Sequence, residues 1–243
     1  MTFETKVMGH RGAAKIAPEN TLAAISAAAK AGTQWVEIDV TLAADGLVIY
    51  HDDTLDRCSN GTGLVKEKTL AELKTLDTGR WFDEAFANER IPTLVEALEH
   101  IQALGLSLNL EIKYEQEDVD SIVPAVMATL AEHWKDKSKL CISSFNEAVL
   151  VRVRSLDADL RLGQLYEDIP ANWSETLANI QAFSLNCDHS LLKKETALAI
   201  KEAGYLLFCY TANDPELVVD HWSWGMDAVI TDDPSIFFNT GIK

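Results

Sequence analysis

Between Met8 and Asp53 the chain gathers His10-Arg11-Gly12, Glu37-Ile38-Asp39 and His51-Asp52 at the ends of apolar, β-like runs. Pro18-Glu19-Asn20-Thr21 lies between the first two. Carboxylates and imidazoles are costly to bury unpaired, so a structural core rarely collects them. Glu37 and Asp39 stand two apart on a strand and therefore share a face. Two carboxylates on one face repel and raise a pKa unless a cation lies between them. Glu111, in Asn109-Leu110-Glu111-Ile112-Lys113, ends a later run and supplies a third oxygen donor. Three carboxylates without cysteine or histidine at zinc spacing suit a hard divalent ion, Mg²⁺ or Ca²⁺. The plainer reading is a salt-bridged rim, Glu37 with Arg11 and Glu111 with Lys113. Two strand-end histidines beside the two-apart pair favour the metal.

His10 and His51 are candidates for general acid and base. An imidazole takes a proton from an attacking hydroxyl and returns one to a departing alkoxide, and phosphodiester cleavage needs both transfers. Arg11 offers a bidentate fork and Lys113 a point charge, both matched to phosphoryl oxygens. Gly12 gives the first loop room to approach a ligand. Glu19 contacts substrate or orders Arg11, and reads equally well as an acid at a helix N-terminus. His100 and His133 fall on helices as solvent-facing residues, His221 near a helix end and His189 in a loop.

Short β-branched runs must position these groups. They are expected at 6–9, 35–39, 106–112, 140–144, 160–166, 182–186, 206–210 and 228–231. Amphipathic stretches at 20–31, 94–103, 119–132, 147–155, 173–180, 191–203 and 215–222 alternate with them. Eight strand–helix units without a break predict a parallel sheet closed as a (β/α)8 barrel, with chemistry at the C-terminal strand ends. One further run, 47–51, follows the second strand too closely for a parallel crossover and must return antiparallel. Asp45-Gly46 predicts a two-residue turn that sets Ala44 opposite Leu47 and His51 opposite Val40, beside Asp39. Residues 53–92, polar and irregular apart from a short helix near 70–76, read as an insertion or lid over the barrel mouth, within one domain spanning 1–243.

A net charge of −17 argues against a nucleic-acid footprint and against docking on an anionic membrane. A phosphate ester could approach only where a cation and a few Lys or Arg reverse the local field. No apolar window is long enough to span a bilayer, and residues 1–7 carry no leader pattern. Cys58, Cys141, Cys187 and Cys209 are widely spaced, with no CxxC pair, so buried free thiols and a cytoplasmic location are expected.

Together, His10-Arg11-Gly12, Pro18-Glu19-Asn20-Thr21, Glu37-Ile38-Asp39, His51-Asp52, Leu110-Glu111-Ile112-Lys113 and Ile230-Thr231-Asp232-Asp233-Pro234 closely resemble the glycerophosphodiester phosphodiesterases. The likeness runs from Val7 to Pro234. It implies a TIM barrel of the phosphoinositide-phospholipase type that hydrolyses glycerophosphodiesters to sn-glycerol 3-phosphate and an alcohol. It makes His10 and His51 the acid–base pair, Glu37, Asp39 and Glu111 the metal ligands, and Lys113 a substrate contact. Where the family often shows Trp-Thr-Val-Asn, this chain has Tyr210-Thr211-Ala212-Asn213, which keeps an aromatic wall at Tyr210. The short insertion is similar to that of the small cytosolic bacterial members. Attack by the glycerol hydroxyl through a cyclic phosphate and direct attack by water both stay open. Two rivals remain: a lysophospholipase D-like enzyme using a groove beside Trp81, Phe82 and Phe86, and a phosphate-metabolite-binding barrel without turnover.

Overall fold

In the computed structural model, β1 (Val7–Gly9) leads through α1 (Leu22–Ala31) to β2 (Trp35–Leu42) and β3 (Leu47–Ile49). The insertion carries α2 (Leu70–Leu73), and α3 (Leu94–Ala103) returns the chain to β4 (Ser107–Ile112). Then follow α4 (Val119–His133), β5 (Leu140–Ser144), α5 (Glu147–Leu156), β6 (Arg161–Tyr166) and α6 (Trp173–Asn179). The chain ends with β7 (Ser184–Asp188), α7 (Lys194–Glu202), β8 (Leu206–Tyr210), α8 (Val219–Trp224), β9 (Ala228–Thr231) and α9 (Pro234–Asn239). The structure describes residues 3–114 and 119–242. Met1 and Thr2, which open the stretch read as lacking a leader, lie outside the described residues.

Eight parallel strands close on themselves, because β1 pairs with both β2 and β9, and β3 adds antiparallel to β2. The strands are buried on both faces, as parallel strands under helices must be. Outward residues such as Val36, Ile38, Leu108, Leu110 and Leu162 pack under Ile25, Leu98, Val126 and Leu150 from the helices. Inside, Met8, Trp35, Cys141, Leu206, Phe208, Ala228 and Ile230 form an apolar plug. Further along the same strands the inward positions turn polar, with Glu37, Asn109, Glu111 and Ser143 facing the C-terminal mouth.

Local signals account for several boundaries. Thr93 and Glu96 make a reciprocal capping box, and α3 begins and ends where the periodicity places it. Thr21 caps α1, and Gly32 closes it at φ 101°. The last helix, α9, lies beyond the seven amphipathic stretches, although Asp233-Pro234 is a ready start signal: Asp233 caps it and Pro234 opens its first turn.

The turn at Asp45-Gly46 requires correction. The observed pairs are Leu42 with Leu47 and Val40 with Ile49, so residues 43–46 form a longer loop in which the Ala43 N–H donates to the Gly46 carbonyl at 2.8 Å. A two-residue turn of the Asp-Gly kind needs positive φ, and neither residue has it. The Asp45 carboxylate instead accepts the Leu70 N–H at 2.6 Å, anchoring the insertion. His51 lies beyond β3, but the Tyr50 N–H donates to the Asp39 carbonyl at 3.0 Å, which still carries the histidine past the carboxylates. Residues 53–92 gather Leu55, Cys58, Val65, Leu73 and Ile91 into an apolar cluster with Val48 and Tyr50 of the returning segment.

Candidate active site

The loop after β1 is stitched to both neighbouring strands. The His10 N–H donates to the Thr231 carbonyl at 2.8 Å and the Gly12 N–H to the Glu37 carbonyl at 3.0 Å. Arg11 (φ 50°), Gly12 (φ 86°) and Asn20 (φ 57°) are all left-handed. For Arg11 and Asn20 that conformation stores strain, which their contacts over-determine. The Arg11 N–H donates to Glu37 Oε2 at 2.9 Å, and its guanidinium to Glu19 Oε1 at 2.6 Å. Asn20 grips Asp39 twice, Nδ2 donating to Oδ2 at 2.8 Å and Oδ1 accepting the backbone N–H at 3.2 Å. Gly12 sits so close to α1 that a Cβ would stand 2.5 Å from the Ala24 carbonyl carbon. Gly12→Ala is therefore expected to destabilise the fold by roughly 2–4 kcal/mol, the sum of a left-handed alanine and overpacking. A urea midpoint unchanged from wild type would contradict this.

The three acids come together. Asp39 and Glu111 are register partners on β2 and β4, and Glu37 lies two residues before Asp39 on the same face. One oxygen from each of the three lies within 4.8 Å of the others. All are buried. Burial, then Asp39 and Glu111, push Glu37 well above the usual carboxylate range. Burial and Asp39 push Glu111 up to about 7. Burial also opposes charge on Asp39, but Arg11, His51 and Lys113 outweigh it and hold that carboxyl low. Glu37 Oε1 is buried without a hydrogen-bond partner. An orphaned acceptor inside a crowded set of carboxylates fits a hard divalent cation.

Each histidine is backed by its own acid. His10 Nδ1 lies 2.6 Å from Asp232 Oδ1, and His51 Nδ1 lies 2.6 Å from Asp52 Oδ1. Asp232 is steadied by Asn213, whose Nδ2 donates to its other oxygen at 2.7 Å. A carboxylate on Nδ1 selects the tautomer with its proton there and leaves Nε2 basic. His10 Nε2 points toward Glu37 Oε2 at 3.9 Å, and His51 Nε2 lies 3.4 Å from Lys113 Nζ. Lys113 also pairs with Glu111 at 3.2 Å. Burial lowers the His51 pKa, with Arg11 and Lys113 reinforcing it against Asp39.

His10, Arg11, Glu37, His51, Glu111, Lys113 and Tyr210 line one cavity of about 710 Å³. The Tyr210 hydroxyl is committed to the Tyr166 carbonyl at 2.8 Å, so the ring forms the wall, edge-on to Phe145 at 6.1 Å. Asp39 sits behind the lining, and Glu19 grips Arg11 and Arg57. Trp81, Phe82 and Phe86 pack on one another in the insertion and are absent from the cavity wall. His100 is half-buried against Ser26 Oγ at 2.8 Å, not solvent-facing, and His221 is buried with Nε2 on the His189 carbonyl. Sequence spacing marks none of Asn20, Arg57 and Phe145 for a role at the site; it sets Asn213 and Asp232 at strand ends without revealing that Asn213 steadies the acid behind His10.

The family model described as glycerophosphoryl diester phosphodiesterase matches residues 10–236. A glycerophosphodiester phosphodiesterase of Caldanaerobacter subterraneus is 37% identical over 239 residues, covering 98% of each chain. The structure of a phosphodiesterase from Oleispira antarctica, in complex with the product sn-glycerol-3-phosphate, superposes with a TM-score of 0.94 at 39% identity, covering 97% of this chain and 96% of that one. A glycerophosphodiester phosphodiesterase structure from Agrobacterium tumefaciens aligns at 28% identity with a TM-score of 0.78, covering 96% of this chain and 98% of that one.

Proposed function

From the premise that the chain belongs to the glycerophosphoryl diester phosphodiesterase family and is a phosphodiesterase, we propose that it hydrolyses glycerophosphodiesters to sn-glycerol 3-phosphate and an alcohol. The observation that carries this reading is one cavity holding two acid-backed imidazoles beside three crowded carboxylates. Glu37, Asp39 and Glu111 would hold Mg²⁺ or Ca²⁺. Bound there, the cation supplies Lewis-acid polarisation of the phosphoryl oxygen and of the attacking hydroxyl.

Arg11 is locked by Glu19 and Asp39 and meets the phosphoryl group as a preorganised donor, which minimises reorganisation on binding. Lys113, between Glu111 and His51, adds a second positive charge. One imidazole removes the proton of the attacking hydroxyl through Nε2, while the other protonates the departing alkoxide. The pair serves equally for attack by the glycerol hydroxyl, closing a cyclic phosphate that water then opens, and for direct attack by water. The Tyr210 ring bounds the organic part of the ligand, leaving the polar contacts to the phosphate end.

We read residues 1–243 as a single barrel unit acting on small molecules. Four buried free thiols suit action in the cytoplasm. Among the described residues, no helix is long and apolar enough to cross a membrane.

Glycerophosphocholine and lysophosphatidylcholine assayed side by side test the reading. Release of sn-glycerol 3-phosphate from the first, with kcat/KM at least ~100-fold above choline release from the second, is expected, because the insertion aromatics are spent on one another and do not line the cavity. Tight binding of glycerophosphocholine without product, in saturating Mg²⁺ or Ca²⁺, would overturn it in favour of a binding protein.

A further inference from the structure

Arg57 belongs to the insertion, and its side chain is 46% exposed. It nevertheless spends both edges of its guanidinium on two carboxylates of the site. Nε and Nη2 donate to Asp52 at 2.7 and 2.8 Å, and Nη1 and Nη2 donate to Glu19 at 2.7 and 2.8 Å. Asp52 in turn holds His51 Nδ1, and Glu19 holds Arg11. A single line of alternating charge therefore runs Arg11, Glu19, Arg57, Asp52, His51. It joins the phosphate-facing guanidinium to one of the two imidazoles through a residue that touches neither.

Exposed ion pairs usually add little stability, and bidentate networks are the exception. Here the geometry matters more than the energy. Asp52 follows His51 directly in an irregular segment after β3, and its carboxyl is 24% exposed, so water could compete for it. The Arg57 hydrogen bonds, against burial, hold that carboxyl well below the usual carboxylate range, so it stays an acceptor for the imidazole. Arg57 donates to both Asp52 oxygens, and Oδ1 is shared between its Nη2 and His51 Nδ1. A lysine could meet one carboxylate as a point charge but could not present two edges to two acids.

We propose that Arg57 is a positioning residue for the hydrolysis. It clamps Asp52 so that His51 keeps Nε2 toward the cavity, whereas Arg11, which Arg57 reaches only through Glu19, is also held by Asp39 and by its own N–H on Glu37. The inference rests on the acid–base role proposed above for His51.

The test compares Arg57→Ala, Arg57→Lys and Asp45→Ala with wild type, using glycerophosphocholine at saturating divalent cation. Asp45 anchors the insertion at the Leu70 N–H, neither residue lines the cavity, and the variant so reports loosening of the insertion alone. Arg57→Ala is expected to lose roughly 10- to 100-fold in kcat, as misplaced catalytic groups do, with KM changed far less. Arg57→Lys should recover little. Guanidinium ion at sub-denaturing concentration should restore part of the kcat of Arg57→Ala, while Asp45→Ala should lose thermal stability at wild-type kcat. Should Arg57→Ala not fold, Arg57→Gln carries the same comparison. An active wild type whose Arg57 variants melt earlier but keep kcat, or gain nothing from guanidinium, would reduce Arg57 to a strap and leave the hydrolase reading intact. An inactive wild type would remove both.

Discussion

Alanine at His51 should lower kcat for glycerophosphocholine by about 10²- to 10⁴-fold, the usual worth of a positioned acid or base, and alanine at His10 should cost as much. Neither change should unfold the protein, because each leaves its partner acid satisfied. Without His51, Asp52 keeps both bonds from Arg57; without His10, Asp232 keeps Asn213. The His51 side chain is 30% exposed and that of His10 18%, so truncation opens toward the cavity and not into the packed core. The loss should fall on kcat with KM little changed, since phosphate contact is assigned to Arg11 and Lys113. The double variant should cost much less than the product of the single losses, because two groups that serve one transfer sequence fail as a unit. Steady-state kinetics, with circular dichroism to confirm folding, separate these outcomes. Near-normal turnover in both single variants would end the two-imidazole assignment. No turnover in wild type would favour the binding barrel.

Much of this site is legible in the chain because its spacing is short-range. Glu37 and Asp39 share a face by strand alternation alone, and Glu111 joins them because β4 is the next parallel strand, in register at Asp39. The apolar runs at 106–112 and 140–144 declare buried parallel strands, observed at Ser107–Ile112 and Leu140–Ser144, and Thr93 with Glu96 marks where α3 starts. What stays hidden depends on distant closure. Asp232 reaches His10 only because β9 pairs with β1, across 222 residues of sequence. Arg57 reaches Glu19 only when the insertion folds back, 38 residues away. No local pattern marks an arginine fork for two acids over an ordinary surface charge. The Asp45-Gly46 signal misled for a related reason: the Leu70 N–H from the insertion captured the Asp45 carboxylate, and a tertiary contact overrode the local turn preference.

Removing divalent cations should abolish turnover and reverse the pH dependence of stability near neutrality. In the cation-free protein Glu111 titrates at about 7, above the ordinary 4.5, and Glu37 is raised in the same direction, both first by burial. A group raised in the folded state favours folding below its unfolded pKa and loses that contribution as pH climbs through the folded value. Stability from Glu111 is thus complete below about pH 4.5 and gone above about 7, worth up to ~3 kcal/mol at 1.36 kcal/mol per unit. Asp39 works oppositely but outside this window, as pH falls below the carboxylate range, and His51, lowered by burial, opposes within it as pH falls through the imidazole range; the two raised carboxyls, Glu111 and Glu37, outweigh that one imidazole. Chelated protein should therefore melt lower at pH 8 than at pH 5.5. Mg²⁺ or Ca²⁺ should raise the pH 8 melting temperature most, since the ligands must be ionised to bind; occupancy at 100 times Kd adds ~2.7 kcal/mol. Glu111→Gln isolates the cause. It removes the neutral-pH penalty, so the chelated variant should melt above chelated wild type at pH 8, while responding to neither cation and turning over no substrate. Full activity after exhaustive demetallation, or a pH 8 melting temperature indifferent to both ions, would mean that the three acids hold no cation, and their crowding would then need another explanation.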